Sequence, residues 1–245
     1  MSAGLRIAPV ALCLLLAAAT LLGCDRSEQR AQAAAAQAAA VEAAAKQGEA
    51  AFDDAVAKGN WPLARAQADV LMQDYPQSKA ALRVKAQYEA VKARAEAERE
   101  QARLEGLWNY NREPVKGGVQ LAAMIDAQHD VDVDGSGAKP VQLIFRDHPS
   151  WGRSAYLVLR KGDFDCYRGC RLKVAVDDQP AKTMAGSRPE TDEAIAMFIE
   201  DERALWRMIR GAKTLSIQFP VKAGGTRTAV FEVGGLDRTQ MPGWD

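Results

Sequence analysis

The hydrophobic and polar positions of this chain fall into four regimes. Val10 to Leu22 is a thirteen-residue, almost unbroken apolar run. From Ser27 to about Lys58, Ala, Gln and Glu dominate, all good helix formers, and large apolar side chains are nearly absent before Phe52. This stretch contains Glu-Ala-Ala-Ala-Lys at Glu42 to Lys46, the unit of semi-rigid helical spacers. A helix with so little to bury is expected to act as a stalk or tether, over residues 24–51.

Residues 52–106 read as a helical hairpin. Gly59 and Asn60 form a helix stop and an N-cap, and Pro62 is acceptable in the first turn that follows. Leu63, Ala66, Val70 and Leu71 recur at i, i+3, i+7 and i+8, which predicts one apolar face; Pro76 ends the helix. Ala81, Val84, Tyr88, Val91 and Ala95 predict the face of a further helix, which fades into charged residues and stops at Gly106. The spacing of Gly59, Asn60, Trp61, Ala64 and Pro76 resembles the turn and second helix of a tetratricopeptide repeat. Only one copy occurs, and a solenoid needs about three to bury a continuous core. The expectation is therefore a single antiparallel unit.

From Leu107 the period shifts toward two, with Gly, Asp and Pro at short intervals. Residues 119–127, 129–134, 141–147, 154–161, 170–178, 194–199, 214–219 and 228–235 read as strands. One short helix, residues 201–212, carries Leu205, Trp206 and Ile209 on one face and meets Gly211 as a stop signal. The expected fold class is α+β: an N-terminal lipoprotein signal, an Ala-rich helical stalk and helical hairpin, then a β-sandwich-like or small-barrel domain over 107–245.

The N-terminus changes the picture of where the chain works. A positive start (Arg6), the apolar run and the small Gly23 have the parts of a secretory leader over residues 1–23. Thirteen apolar residues are fewer than the ~20 a spanning helix needs. Leu21-Leu22-Gly23-Cys24 resembles the lipobox of bacterial lipoproteins. That resemblance implies cleavage before Cys24, a diacylglycerol thioether on its sulfur and a third acyl chain on its new amino group. Several chains together hold a protein firmly to a membrane. Asp25 resembles a signal that, in enteric-type bacteria, retains such proteins at the inner membrane.

Composition agrees with an envelope address. The chain carries 32 basic and 32 acidic residues, and the leader contains only Arg6 among them. No basic excess attracts nucleic acid phosphates. Of the four cysteines, Cys13 lies in the leader and Cys24 in the lipobox. Cys166 and Cys170 remain, an even pair that reads as a disulfide in an oxidising compartment. Redox-active thiols and metal thiolates are the other readings, and a structural zinc site would need four ligands in a chain with two histidines.

Segments around this pair carry a second resemblance. Phe145 to Gly152, Lys161 to Asp178, Met197 to Asp201, Gly211 to Ile217 and Val230 to Asp237 resemble a domain of uncharacterised bacterial envelope proteins. The likeness covers roughly residues 107–238 and implies a strand–Cys–turn–Cys–strand element, a following strand ending in two aspartates and a terminal Gly-Leu. It carries no chemistry to transfer.

Candidate chemistry is sparse. Asp130, Asp132, Asp134 and Gly135 reproduce the start of a calcium loop, in which alternate carboxylates converge on one hard cation. The twelfth position is Val141, where an EF-hand has a bidentate Glu, and the interleaved Val131 and Val133 also fit a strand with one wet face. His129 and His148 have acidic neighbours, and Ser150 and Ser154 lie near the second, but no nucleophile–base signature accompanies them. The carboxylates of residues 192–202 flank an apolar strand. No cofactor signature occurs. The expected function is a non-enzymatic interaction or scaffold module, anchored through Cys24 on the periplasmic side and meeting an envelope protein partner. The alternative is a periplasmic enzyme or calcium-binding module using the Asp130/Asp132/Asp134 loop.

Overall fold

A computed structural model describes the backbone of residues 13–190 and 195–245, with side chains from residue 26 onward. The start of the leader, residues 1–12, and the side chain of Cys24 lie outside the described residues. The chain divides into two units, Met1–Glu98 and Arg99–Asp245. It combines an N-terminal helical part with a C-terminal antiparallel sheet. No described helix is long and apolar enough to cross a membrane.

The first unit begins with α1 (Cys13–Ala57). Residues 26–43 are exposed all round, as expected of a bare spacer. Packing then starts earlier than the expected boundary at Phe52, because Ala45 is already buried. A Cβ on Gly48 would sit 3.1 Å from Leu71, so the absent side chain is what lets the next helix approach. Ala and Gly make this contact without any large apolar side chain, so the hydrophobic pattern does not distinguish the packed region from tether.

Helix α2 (Trp61–Asp74) starts as expected, with Asn60 Oδ1 accepting from the Leu63 amide at 3.1 Å. Its inward face differs from the expected one. Ala64, Ala68 and Leu71 are buried, whereas Leu63 and Val70 are exposed by 43% and 54%. The small residues allow close approach to α1, and the bulkier aliphatics are left outside. The next expected helix is two, α3 (Lys79–Lys85) and α4 (Tyr88–Glu105), broken by tight turns in which Ala86 and Gln87 donate to Arg83 and Val84. Ala81, Val84, Val91 and Ala95 are nevertheless buried on the expected face.

Among the described residues, the second unit contains nine strands in one sheet. They are β1 (Trp108–Val115), β2 (Gly118–Asp126), β3 (Val141–His148), β4 (Gly152–Leu159), β5 (Cys170–Val176), β6 (Lys182–Ser187), β7 (Ala196–Ile199), β8 (Leu215–Pro220) and β9 (Thr226–Phe231). The order is β1-β2-β3-β4-β7-β6-β5-β8-β9, with every pairing antiparallel. Period-two alternation sends Leu143 and Phe145, Ala155 and Leu157, Leu172 and Val174, Ile217 and Phe219 to one core. Strands from both ends of the order contribute to it: Ala123 and Ile125 on β2, Ala229 and Phe231 on β9.

Two strands were not legible in the pattern. β1 is polar and exposed along most of its length after the buried Trp108. β6 has few large apolar residues; a Cβ on Gly186 would meet Cys170 Sγ and Leu172 Cδ1 at 3.2 Å, so bulk is excluded there. Conversely, residues 129–134 form no strand, contributing only the bridge Val131↔Lys139. Helix α5 (Glu202–Met208) lies between β7 and β8 in sequence, with Leu205, Trp206 and Ile209 buried as expected. Trp206 meets Phe145 edge-on at 5.0 Å and Trp244 at 5.0 Å.

Gly235 closes this unit against backbone. A Cβ there would lie 2.2 Å from the Leu104 carbonyl carbon and 2.3 Å from the Glu105 nitrogen. Backbone cannot rotate away as a side chain can. Gly235→Ala is expected to destabilise the sheet unit by about 3 kcal/mol or more, read from urea unfolding followed by tryptophan fluorescence. Gly224→Ala, at φ 98° with nothing within 4 Å of the added carbon, should cost about 1 kcal/mol from backbone strain alone.

Candidate functional site

The sheet opens at one place. Glu200 donates its amide to the Ala185 carbonyl, so Ala185 points its backbone groups toward β7. Antiparallel alternation then turns the N–H and C=O of Thr183 the same way. β7, however, ends at Ile199, and its pairing with β6 covers only Gly186 and Ser187. The reason is local: Asp201 adopts the left-handed conformation (φ 56°, ψ 55°) and swings the chain off the sheet into α5. Its side chain accepts from the Ala204 amide at 3.0 Å, which offsets part of the strain by capping the helix.

The result is a groove between β6 and α5. A cavity of about 640 Å³ is lined by Lys182, Thr183, Met184, Asp201, Arg207 and Met208, among others. A second cavity of about 370 Å³ shares Lys182 and Met208 and continues toward Pro180 and Val176. The two methionines give an adaptable apolar wall. The charges are unequally committed: Glu200 accepts from the Ser187 hydroxyl and Asp201 caps α5, whereas Lys182 and Arg207 pair with no described residue. The groove therefore offers open strand backbone, soft apolar surface and two available cations.

The wall on the α5 side is braced by Asp245. Its Oδ1 accepts from Arg238 Nε at 2.9 Å, Arg210 Nη2 at 3.0 Å and Trp206 Nε1 at 3.2 Å. The Arg238 contact, with smaller help from Trp206 and Arg210, holds the Asp245 carboxyl down at about 2.

The residues singled out in the sequence do not converge. Asp132 Oδ1 accepts from the amides of Asp134 and Gly135 (3.3 and 2.7 Å), and Asp134 Oδ1 from that of Ser136 (2.9 Å). Hydrogen bonds from Ser136 lower the Asp134 carboxyl. These carboxylates organise a turn, Asp130 and His129 are exposed, and no described group of three or more His, Cys, Asp or Glu side chains could hold a metal. His148 is buried, with Nδ1 accepting from the amides of Ser150 and Trp151 at 3.1 and 3.3 Å, which assigns its proton to Nε2. Of the carboxylates at 192–202, Asp192 and Glu193 lie outside the described residues.

The sulfurs of Cys166 and Cys170 lie at bonding distance, 2.01 Å. Their loop enters β5, and β4 and β5 are not neighbours in the sheet, so the pair does not close a turn between two paired strands, as the resemblance implied. The groove itself was missed because β6 shows no alternation; the legible signal was Asp201 preceding a helix, but not its left-handed turn.

No family model, curated protein or solved structure matches the chain.

Because the folded Asp245 carboxyl titrates below its unfolded value near 3.8, its stabilisation is present above about pH 4 and is lost as pH falls through about 2. Asp245→Asn should flatten the acid limb of stability between those values, measured as unfolding midpoint against pH.

Proposed function

We propose that this chain is a lipid-anchored envelope protein whose sheet unit binds an extended segment of a partner protein along β6. The observation that carries the reading is the open backbone of Thr183 in a groove with two uncommitted cations. Strand addition uses such groups for affinity and flanking side-chain pockets for specificity. A segment with an apolar residue facing Met184 and Met208, and an acidic residue near Lys182 and Arg207, complements the lining. The protein is a non-enzymatic module on this reading, supported by His148, Asp132 and Asp134 organising turns, Asp201 capping α5 and Asp245 pairing with Arg238.

The address rests on the leader and on Leu21-Leu22-Gly23-Cys24. Lipidated Cys24 faces the periplasm, and Asp25 favours the inner membrane over the outer. An exposed helical stretch after Cys24 suits a stalk, and an oxidising compartment suits a Cys166–Cys170 disulfide. We further read the one-core sheet as curling around its own interior in the manner of a small barrel.

Two measurements test this. Cys24→Ser is expected to abolish the acyl mass and the membrane association; a mutant still processed and membrane-bound would refute the address. For the groove, a photo-crosslinking residue in place of Lys182 should give one defined protein adduct in envelope preparations. Thr183→Pro deletes the groove-facing N–H while leaving the hydrogen bonds to β5, so the adduct should vanish with a stability change of about 1 kcal/mol or less. An undiminished adduct in the proline variant would mean the partner does not add as a strand.

A further inference from the structure

We propose that the sheet unit carries a second, separate ligand site: Arg146, framed by Trp151 and Tyr156, takes a planar carboxylate borne on a flat apolar body. The site shares no residue with the β6 groove. Its origin is the alternation along β3. Leu143 and Phe145 enter the core, which sends Ile144 and Arg146 to the opposite face. The register aligns Met124, Ile144, Tyr156 and Phe198 across β2, β3, β4 and β7 on that face. Ile144 and Ala122 are 9% and 6% exposed although they stand outside the core. The face is thus apolar where a solvated sheet face would be polar.

Arg146 stands beside this row, aligned with Ala122 on β2 and Ser154 on β4. Its Cζ lies 5.4 Å from the Trp151 ring centre and 5.3 Å from that of Tyr156. It makes no ion pair or hydrogen bond with a described residue. Its Nε is withdrawn from solvent without a partner, and so is the hydroxyl of Ser154, which faces it across the β3–β4 ladder. The nearest acid in sequence, Asp147, is taken by Arg153 at 3.4 Å. A desolvated donor left without an acceptor is unfavourable, so the protein holds an unmet demand for an acceptor here.

The frame is built rather than loose. Trp151 is 71% exposed, yet its ring stacks on the buried His148 at 3.9 Å and 16°. His148 in turn is fixed by accepting the Ser150 and Trp151 amides. Tyr156 packs on Phe198 at 5.4 Å. The guanidinium carbon sits over both rings, and what the planar group has to offer a ligand is its N–H edge. That edge is a rigid fork matching two coplanar oxygens, a geometry a lysine ammonium cannot reproduce. The neighbouring rings favour a flat ligand body, and their apolar surface weakens competition from water.

The test uses the purified full chain and small probes of known chemistry. Indole N–H resonances are followed while benzoate, acetate or inorganic phosphate is added, with Trp151→Phe identifying the Trp151 signal. Benzoate should shift that signal saturably and bind at least tenfold more tightly than acetate or phosphate. Arg146→Gln and Arg146→Lys should each weaken benzoate tenfold or more. Ser154→Ala, a milder change, should weaken it about threefold and serves as the readout if the arginine variants do not fold. No saturable shift, phosphate matching benzoate, or benzoate binding unchanged in the substituted chains would overturn the proposal.

Discussion

The packing of Trp206 into the core of the sheet unit is the contact on which its other features depend. Helix α5 is only two turns long and cannot hold itself together in isolation. It persists because Leu205, Trp206 and Ile209 are buried and because Trp206 is wedged against Phe145 and Trp244. Once α5 is held there, the chain must leave the sheet directly after β7, and the left-handed Asp201 is the turn that permits it. The gap beside β6 is the geometric consequence.

Electrostatics in this unit follow a division between spent and unspent charges. Asp177 accepts from the Lys213 and Thr214 amides at 2.9 and 2.8 Å, tying the end of β5 to the start of β8. Asp163 and Arg188 pair in a nearly buried position, with Lys222 reaching the same carboxylate at 3.3 Å. Removing one member of such a pair leaves a stranded charge, so these are structural fixtures. Lys182, Arg207 and Arg146 are among the cations that no described carboxylate answers, and what distinguishes them is the apolar or open surface beside each.

The helical unit depends on a different constraint, the close approach of backbones. Ala45, Gly48, Ala55, Ala64 and Ala68 keep α1 and α2 near one another, and Phe52 and Leu71 supply the bulk between them. Gly59, Asn60 and Trp61 form the turn into α2 within this arrangement. Leu63, Val70 and Leu82 are left exposed because the close-packed face has no room for them.

Local chemistry alone determined much of this. The Asn60 cap, the end of α2 before Pro76, the buried face of α5 and seven of the nine strands were legible, because capping and period-two or period-3.6 patterns act over a few residues. The address proposed from Cys24 rests on sequence alone. What the tertiary structure decided depends on neighbours distant along the chain. Val131 and Val133 alternate with aspartates like a strand, yet those carboxylates close turns and Val133 is buried among residues far away in sequence. The polar β1 and the small-residue β6 are strands because β2 and β5 offer ladders to them. The groove at Thr183 and the framed Arg146 exist only because strand order and the Asp201 turn bring together, or hold apart, segments that no local pattern connects.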